Sequence, residues 1–245
     1  MVTDAEMVKM IKPGNRPDKF KNRLNNWNKK PEPLPKPIPP PLQEPEPKNH
    51  LSFVIPCMGR LDFLKQTIQS VISQPHCCYI LVDWSCPENS GDWVIANYPS
   101  AKVIKVEGQK FFNLSRARNV GGKAAITDWL CFLDVDMILH EDFADIVHHE
   151  VLPGYFGEFG IWDSGFCGTM VVERSVFNEI LYNEEMEGWG SEDWEFRHQL
   201  VKKEIKPKKI NRNLASHINH GERSKYYEEK NIDISTRENQ RKWRK

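Results

Sequence analysis

Two aspartates, Asp134 and Asp136, follow directly on the apolar run Trp129-Leu130-Cys131-Phe132-Leu133. A run of this kind reads as a buried strand, so both carboxylates emerge at the mouth of a sheet, where small ligands collect. On a fully extended strand residues two apart share a face. At the mouth the backbone turns, and one carboxylate can then hold a divalent cation while the other reaches a bound ligand. An ordinary solvated strand end would carry the same Asp-x-Asp, so the pair gains its weight from what lies downstream. Gly188-Trp189-Gly190-Ser191-Glu192-Asp193 sets two acids at the start of a helical stretch, and Ser216-His217-Ile218-Asn219-His220 supplies two imidazoles three residues apart. That spacing can face one centre from a helical turn or a tight loop, although two surface histidines in a polar segment would look the same. A carboxylate and imidazole nitrogens together suit Mn2+ better than Mg2+, which prefers oxygen throughout.

These groups need a scaffold, and the pattern from residue 51 onward provides one. Leu51-Ser-Phe-Val-Ile-Pro56 reads as a strand, and Leu61, Phe63, Leu64, Ile68, Val71 and Ile72 then recur at helical spacing. Further strands are expected over 79–84, 102–107 and 129–134, with helices over 91–97 and 113–126 between them. Strands alternating with helices predict right-handed crossovers and a mainly parallel, Rossmann-like α/β sheet flanked by helices, with ligands over the carboxyl ends of the strands. Past residue 142 the pattern loosens to a helix near 141–149, an aromatic and Gly-rich loop, a strand near 167–172, a helix over 174–181 and another opened by Ser191. Ser191 is of a type that caps helices, and acids in a first turn offset the helix dipole, which is by itself a structural reason for Glu192 and Asp193.

The chain has 245 residues, 39% of them hydrophobic, enough for one main domain. Lys plus Arg and Asp plus Glu both number 34, so no overall basic field invites nucleic acid. No apolar run approaches the ~20 residues that span a bilayer, and no apolar signal core opens the chain. Six cysteines without metal-type spacing fit a reducing, cytoplasmic setting. Residues 1–30 form a basic arm, with eight Lys/Arg against three acids, which could pack on the core, stay loose or touch a membrane surface or partner. Residues 31–50 contain a proline-rich strap that can form neither helix nor ladder and marks a boundary. The main domain is set at 51–222, followed by a charged tail at 223–245.

Four stretches taken in order resemble a known family: Phe53-Val-Ile-Pro56 with Arg60, Phe112-Asn-Leu-Ser-Arg-Ala-Arg-Asn119-Val-Gly, Phe132-Leu-Asp-Val-Asp136 and Gly188-Trp-Gly-Ser-Glu-Asp193. They are similar to the metal-dependent GT-A glycosyltransferases, closest to the group of β-1,4-galactosyltransferases, chondroitin polymerases and polypeptide N-acetylgalactosaminyltransferases. The resemblance covers about 51–222 and implies a single GT-A domain that moves a galactose or N-acetylhexosamine type of sugar from a UDP-sugar to a carbohydrate or glycoconjugate hydroxyl, with inversion. It implies Mn2+, or Mg2+ in its place, held by Asp136 and His220 with His217 as a further ligand, and Asp134 and Val135 on the nucleotide sugar. Pro56, Arg60, Asp83, Arg116 and Asn119 would line the nucleotide, Asp83 accepting from a uracil N–H. Of Arg116 and Arg118, whose side chains cannot both face one way in a helix, at most one should touch ligand.

By the same resemblance Asp193 is the base that takes the acceptor proton, and Glu192 binds acceptor hydroxyls. The two glycines beside Trp189 free its ring to wall a sugar, with Gly190 and Asp163 on donor or acceptor hydroxyls. Lys225, Tyr226 and Tyr227 could fold over the donor. The chain departs from the family at Trp84, where many members carry a second acid, and at Leu181-Tyr-Asn-Glu-Glu-Met, where galactosyltransferases have Asn-Gly-Phe. Other readings are a retaining transferase of the same fold, a nucleotidyltransferase and a glycan-binding scaffold. Cys57-Met58-Gly59-Arg60 is poor in glycine for a nucleotidyltransferase phosphate loop, and intact acids and His220 speak against a scaffold without catalysis.

Overall fold

Residue 51 opens β1 (Leu51–Cys57), which is buried along its whole length because both its faces are covered. Phe53 and Ile55 point into one apolar cluster with Leu64, Ile68 and Phe143, while Val54 points into another with Phe132, Phe177 and Phe196. The chain continues through α1 (Leu61–Ile72), β2 (Cys77–Trp84), α2 (Ser90–Asn97), β3 (Lys102–Val106), α3 (Leu114–Lys123) and β4 (Trp129–Phe132). The computed structural model describes residues 50–160, 165–220, 226–227 and 232–243. The basic arm at 1–30, the strap up to residue 49, Asp163 and Lys225 lie outside them.

Strand order in the seven-stranded sheet is β3-β2-β1-β4-β7-β6-β8. β3, β2, β1 and β4 run parallel, β7 (Met170–Glu173) pairs antiparallel with β4 and with β6 (Tyr155–Glu158), and β8 (Lys206–Lys209) runs parallel to β6. This is the mixed, mainly parallel α/β sheet of a GT-A domain. After β3 the chain returns to the other side of β1, so a crevice opens between the carboxyl ends of β1 and β4. Pro56 to Arg60 leave one strand there and Leu133 to Asp136 the other. The remaining helices are α4 (Phe143–Glu150), α5 (Arg174–Ile180) and α6 (Glu192–Lys202).

Helix α3 supports the crevice from below. Asn113 caps it by accepting from the Arg116 N–H at 2.9 Å. A Cβ at Gly121 would stand 2.3 Å from Val54 Cγ1 and 2.9 Å from Val82 Cγ2, so the helix backbone lies directly on β1 and β2. The helix ends at Lys123 instead of running on to 126.

Four short strands have no signature in the sequence: β5 (Met137–Leu139), β6, β8 and β9 (Ala215–His217). Three or four residues are too few to show a period, and β8 reads Lys-Pro-Lys-Lys because it is a sheet edge, where lysines and proline deter further pairing. β5 and β9 form a separate antiparallel pair that matters for function, since it matches Met137 with His217. β7 begins at Met170, three residues later than expected, because a turn around Gly165–Gly168 precedes it.

The boundary at 222 needs correcting. Residues 232–243 form α7 (Ile232–Trp243), whose Ser235 and Thr236 hydroxyls donate to the Trp189 carbonyl at 3.2 and 3.1 Å. Asn239 donates to the carbonyls of Glu187 and Gly190 at 2.9 and 3.0 Å. The attachment uses small polar side chains on open carbonyls, so it leaves no apolar stripe to read and the segment looks like a charged tail. All six cysteines are free. Among the described residues no helix is long and apolar enough to cross a membrane.

Gly121→Ala should cost about 1–3 kcal/mol, read from the urea midpoint, because a methyl there must push into two core valines that have no room to move.

Candidate active and metal-binding site

The turn after β4 carries Asp136 directly into β5, and the β5–β9 ladder delivers His217 beside it. The Ile218 N–H then donates to the Asp136 carbonyl at 2.9 Å, which fixes the path towards His220. His220 Nε2 lies 2.7 Å and His217 Nε2 3.7 Å from Asp136 Oδ2. The ligand atoms of all three residues fall within 4.8 Å of one another. The Phe63 ring stands 5.0 Å from that of His220, and Gly165 packs so closely on His217 that a Cβ there would be 2.8 Å from its Cγ. A carboxylate oxygen and two imidazole nitrogens converging in this way fit a borderline divalent ion such as Mn2+ better than Mg2+. Arg60 reaches the same atoms: its Nη1 donates to Asp136 Oδ2 at 2.6 Å and lies 2.9 Å from His220 Nε2.

A second polar centre adjoins the first. Arg118 on α3 is completely buried, and its guanidinium donates to Asp134 Oδ1 at 3.0 Å, to the Gly168 carbonyl at 3.2 Å and to Asp193 Oδ1. The Tyr182 ring lies against it, 5.1 Å from Cζ. Gly168 has to be glycine because a Cβ would fall 2.1 Å from Asp134 Oδ2 and 2.9 Å from Arg118 Nη2. Asp134 is therefore turned towards Arg118 and Asp136 towards the histidines, so the two aspartates divide between two centres as the turn at a strand mouth allows.

Both centres open into one cavity of about 370 Å3. Pro56, Met58, Arg60, Asp134, Val135 and Asp136 line it from the β1 and β4 ends, and Trp189, Glu192 and Asp193 from the start of α6. His217, Asn219 and His220 come from the segment after β8, and Phe112, Leu114, Gly165, Cys167 and Tyr227 complete the wall. The Trp189 and Tyr227 rings meet edge to face at 5.0 Å. Burial holds the Asp193 carboxyl well above the usual carboxylate range, the Arg118 charge pulling it down and Glu192 and Asp134 pushing it up. Burial likewise raises Glu192, again against the pull of Arg118. A carboxylate of raised affinity for protons, kept in an ion pair beside an open cavity, is suited to accept a proton from a ligand.

The approach to these acids is strained. Gly188 and Gly190 have φ of +74° and +88°, and Ser191, though not glycine, has +80°. Ser191 makes no side-chain capping bond, contrary to the cap expected of it. The loop that leads into it is tied down by α7 at the carbonyls of Glu187, Trp189 and Gly190.

Four expected contacts are not brought to the cavity. Asp83 is buried, and its two carboxylate oxygens accept from the N–H groups of Cys86 and Gly91 at 2.7 and 2.8 Å, so they brace a turn and do not face a base. Arg116 points away towards Glu184, 3.8 Å off. Asn119 bonds the Tyr182 N–H and carbonyl, both at 2.9 Å, and so clamps α3 to the loop before α6. Gly190 contributes backbone to α7. The guanidinium among the acids belongs to Arg118, which the expected site did not include. Helical spacing did signal that only one of Arg116 and Arg118 faces inward; the small neighbours Ser115, Ala117, Gly121 and Gly122 mark the inward face as the one that carries Arg118. Trp84, at the family's variable acid, donates its Nε1–H to the Phe111 carbonyl at 3.0 Å.

Arg118→Met should destabilise the fold by about 3–5 kcal/mol at neutral pH, the cost of leaving a buried carboxylate unpaired. Asp193 binds its proton more tightly folded than unfolded, so the deficit should shrink as pH falls through its raised range and protonation removes the charge. Urea unfolding at several pH values checks both.

In comparisons with known proteins, the description Glycosyl transferase family 2 matches residues 52–216. No curated protein matches the chain in sequence. Among solved structures, the mannosyltransferase PcManGT from Pyrobaculum calidifontis, in complex with GDP-Man and Mn2+, superposes with a TM-score of 0.56 at 12% identity, over 79% of this chain and 62% of that one. S. aureus TarS 1-349 gives a TM-score of 0.49 at 17% identity, over 62% of this chain and 55% of that one. The chain thus spans less than two thirds of either of these structures. With more than half of its length matched and the crevice where the fold places it, the chain belongs to glycosyl transferase family 2.

Proposed function

We propose that the protein transfers a sugar from a UDP-sugar to a hydroxyl of a carbohydrate or glycoconjugate, with a divalent cation, Mn2+ for preference, and with inversion. One observation carries this reading: Asp136, His217 and His220 meet within 4.8 Å beside a cavity that also holds Asp193. When bound, the cation supplies a Lewis acid that stabilises the negative charge of a departing diphosphate. Asp136, His220 and His217 would hold it, and Asp134 and Val135, which line the cavity, would contact the nucleotide sugar.

Asp193 accepts the proton of the attacking hydroxyl, and Arg118 holds that carboxylate in place and draws its raised proton affinity back down. Glu192 binds acceptor hydroxyls. Trp189 presents a flat apolar face to a sugar ring and excludes water from the reacting atoms. A galactose or N-acetylhexosamine donor is the finer reading, on the likeness of the four stretches to the galactosyltransferase group. With both Asp83 oxygens engaged by backbone N–H groups, recognition of the base falls to other groups at the cavity rim.

A donor screen should include UDP-galactose, UDP-N-acetylgalactosamine, UDP-N-acetylglucosamine, UDP-glucose, UDP-glucuronate and GDP-mannose, scored by nucleotide release with and without Mn2+. A UDP-sugar should be turned over and chelator should stop it; release from GDP-mannose alone would refute the UDP reading.

Asp136→Ala should lose both metal-dependent UDP binding and turnover. Asp193→Asn should keep UDP and Mn2+ affinity and lose activity by about 10²–10⁴-fold, the scale of a missing general base. UDP binding that ignores chelator would count against the cation. In the wild type, kcat/KM should fall on the acid side at a pH above the ordinary carboxylate range, because Asp193 must be deprotonated to act and burial raises its affinity for protons.

A further inference from the structure

We propose that Arg60 is a resident counter-ion for the Asp136, His217 and His220 set, which a divalent cation has to displace and which then grips the diphosphate of the donor. The inference rests on the metal reading above and assigns its regulation.

Arg60 Nη1 stands 2.6 Å from Asp136 Oδ2 and 2.9 Å from His220 Nε2, and these two atoms are themselves 2.7 Å apart. An imidazole nitrogen has one in-plane position, filled either by a proton or by a lone pair. If His220 Nε2 carries the proton, it donates to Asp136; if it carries the lone pair, it accepts from Arg60. In both cases the position a metal would use is taken. The guanidinium also neutralises the Asp136 charge that would attract a cation, and a dication placed beside it would be repelled at close range. Metal binding and the present position of Arg60 therefore exclude one another.

The displaced side chain has somewhere to go. Arg60 lines the cavity, and it sits just ahead of α1, after Gly59 with its φ of +67°. Its long side chain can swing into the cavity while the helix stays in place. A planar guanidinium pairs with two phosphate oxygens at once, so a diphosphate is the best available replacement for the carboxylate it leaves. Without nucleotide the cation must pay for expelling Arg60. With nucleotide the expelled group gains a partner, so each ligand strengthens the other by the same factor.

The test is Mn2+ binding to the metal-free full chain, followed by titration calorimetry or by the paramagnetic signal of free Mn2+, with and without UDP. The wild type should bind Mn2+ weakly alone and about tenfold or more tightly with UDP, within the usual range of coupling between sites. Arg60→Met should bind Mn2+ alone about tenfold more tightly than wild type, and the further gain from UDP should be smaller than in the wild type, with only the direct pairing of cation and diphosphate left to supply it. Arg60→Gln should behave in the same direction and serves if the methionine variant does not fold. Unchanged or weaker Mn2+ affinity in a folded Arg60 variant would overturn the proposal. Asp136→Ala separates the two levels: if it still binds Mn2+ as the wild type does, the metal reading itself falls. If it loses Mn2+ while the Arg60 variants do not tighten, only the counter-ion role falls.

Discussion

A guanidinium sealed from solvent cannot stand alone, and the cleft is arranged around that requirement. Arg118 is fully buried on α3, and its charge is met by Asp134 from the mouth of β4 and by Asp193 from the first turn of α6. The ion pairs therefore hold together two helices and a strand end. The arrangement also decides the chemistry of each acid. Arg118 pulls the proton affinity of Asp193 down against the burial that raises it, and Asp134 is drawn away from the centre where Asp136 meets the histidines.

The scaffold delivers these groups with small residues at the points of closest approach. Gly121 lets α3 lie directly on β1 and β2, which sets the depth of Arg118. Gly168 lets the turn before β7 pass over Asp134 and offer its carbonyl to Arg118, and Gly165 does the same for His217. The strained Gly188 to Ser191 segment aims Glu192 and Asp193, and α7 holds it by bonding the carbonyls of Glu187, Trp189 and Gly190. Strain of this kind persists only where neighbours over-determine the backbone, and it gathers at functional sites.

Two cationic solutions meet on one set of ligands. Arg60 supplies a fixed charge to Asp136, and the donor set of Asp136, His217 and His220 suits a mobile one. On the proposed reading such a site admits a cation readily only when an anion is at hand to receive the arginine, which would tie charge balance in the cavity to the presence of nucleotide.

From the sequence alone, alternating apolar segments from Leu51 to Asp136 determined the parallel core, its crossovers and the edge where ligands collect, because buried strands and helices carry a period that local reading detects. Asp136, His220 and Asp193 were named there through the resemblance to a known family, and the fold brings all three to one cavity. The contact between distant segments was decided only in three dimensions. β5 and β9 are three residues each, too short for a period, yet their pairing sets His217 beside Asp136. Asp83 and Asn119 have the right types for ligand contact, but backbone groups claim their side chains, those of the following turn for Asp83 and of distant Tyr182 for Asn119. The choice of Arg118 over Arg116 followed from which face of α3 the sheet covers, and the docking of α7 from lone hydrogen bonds that leave no pattern in composition. Local physics writes periodicity into the sequence, whereas partners for single polar groups exist only once the chain has closed on itself.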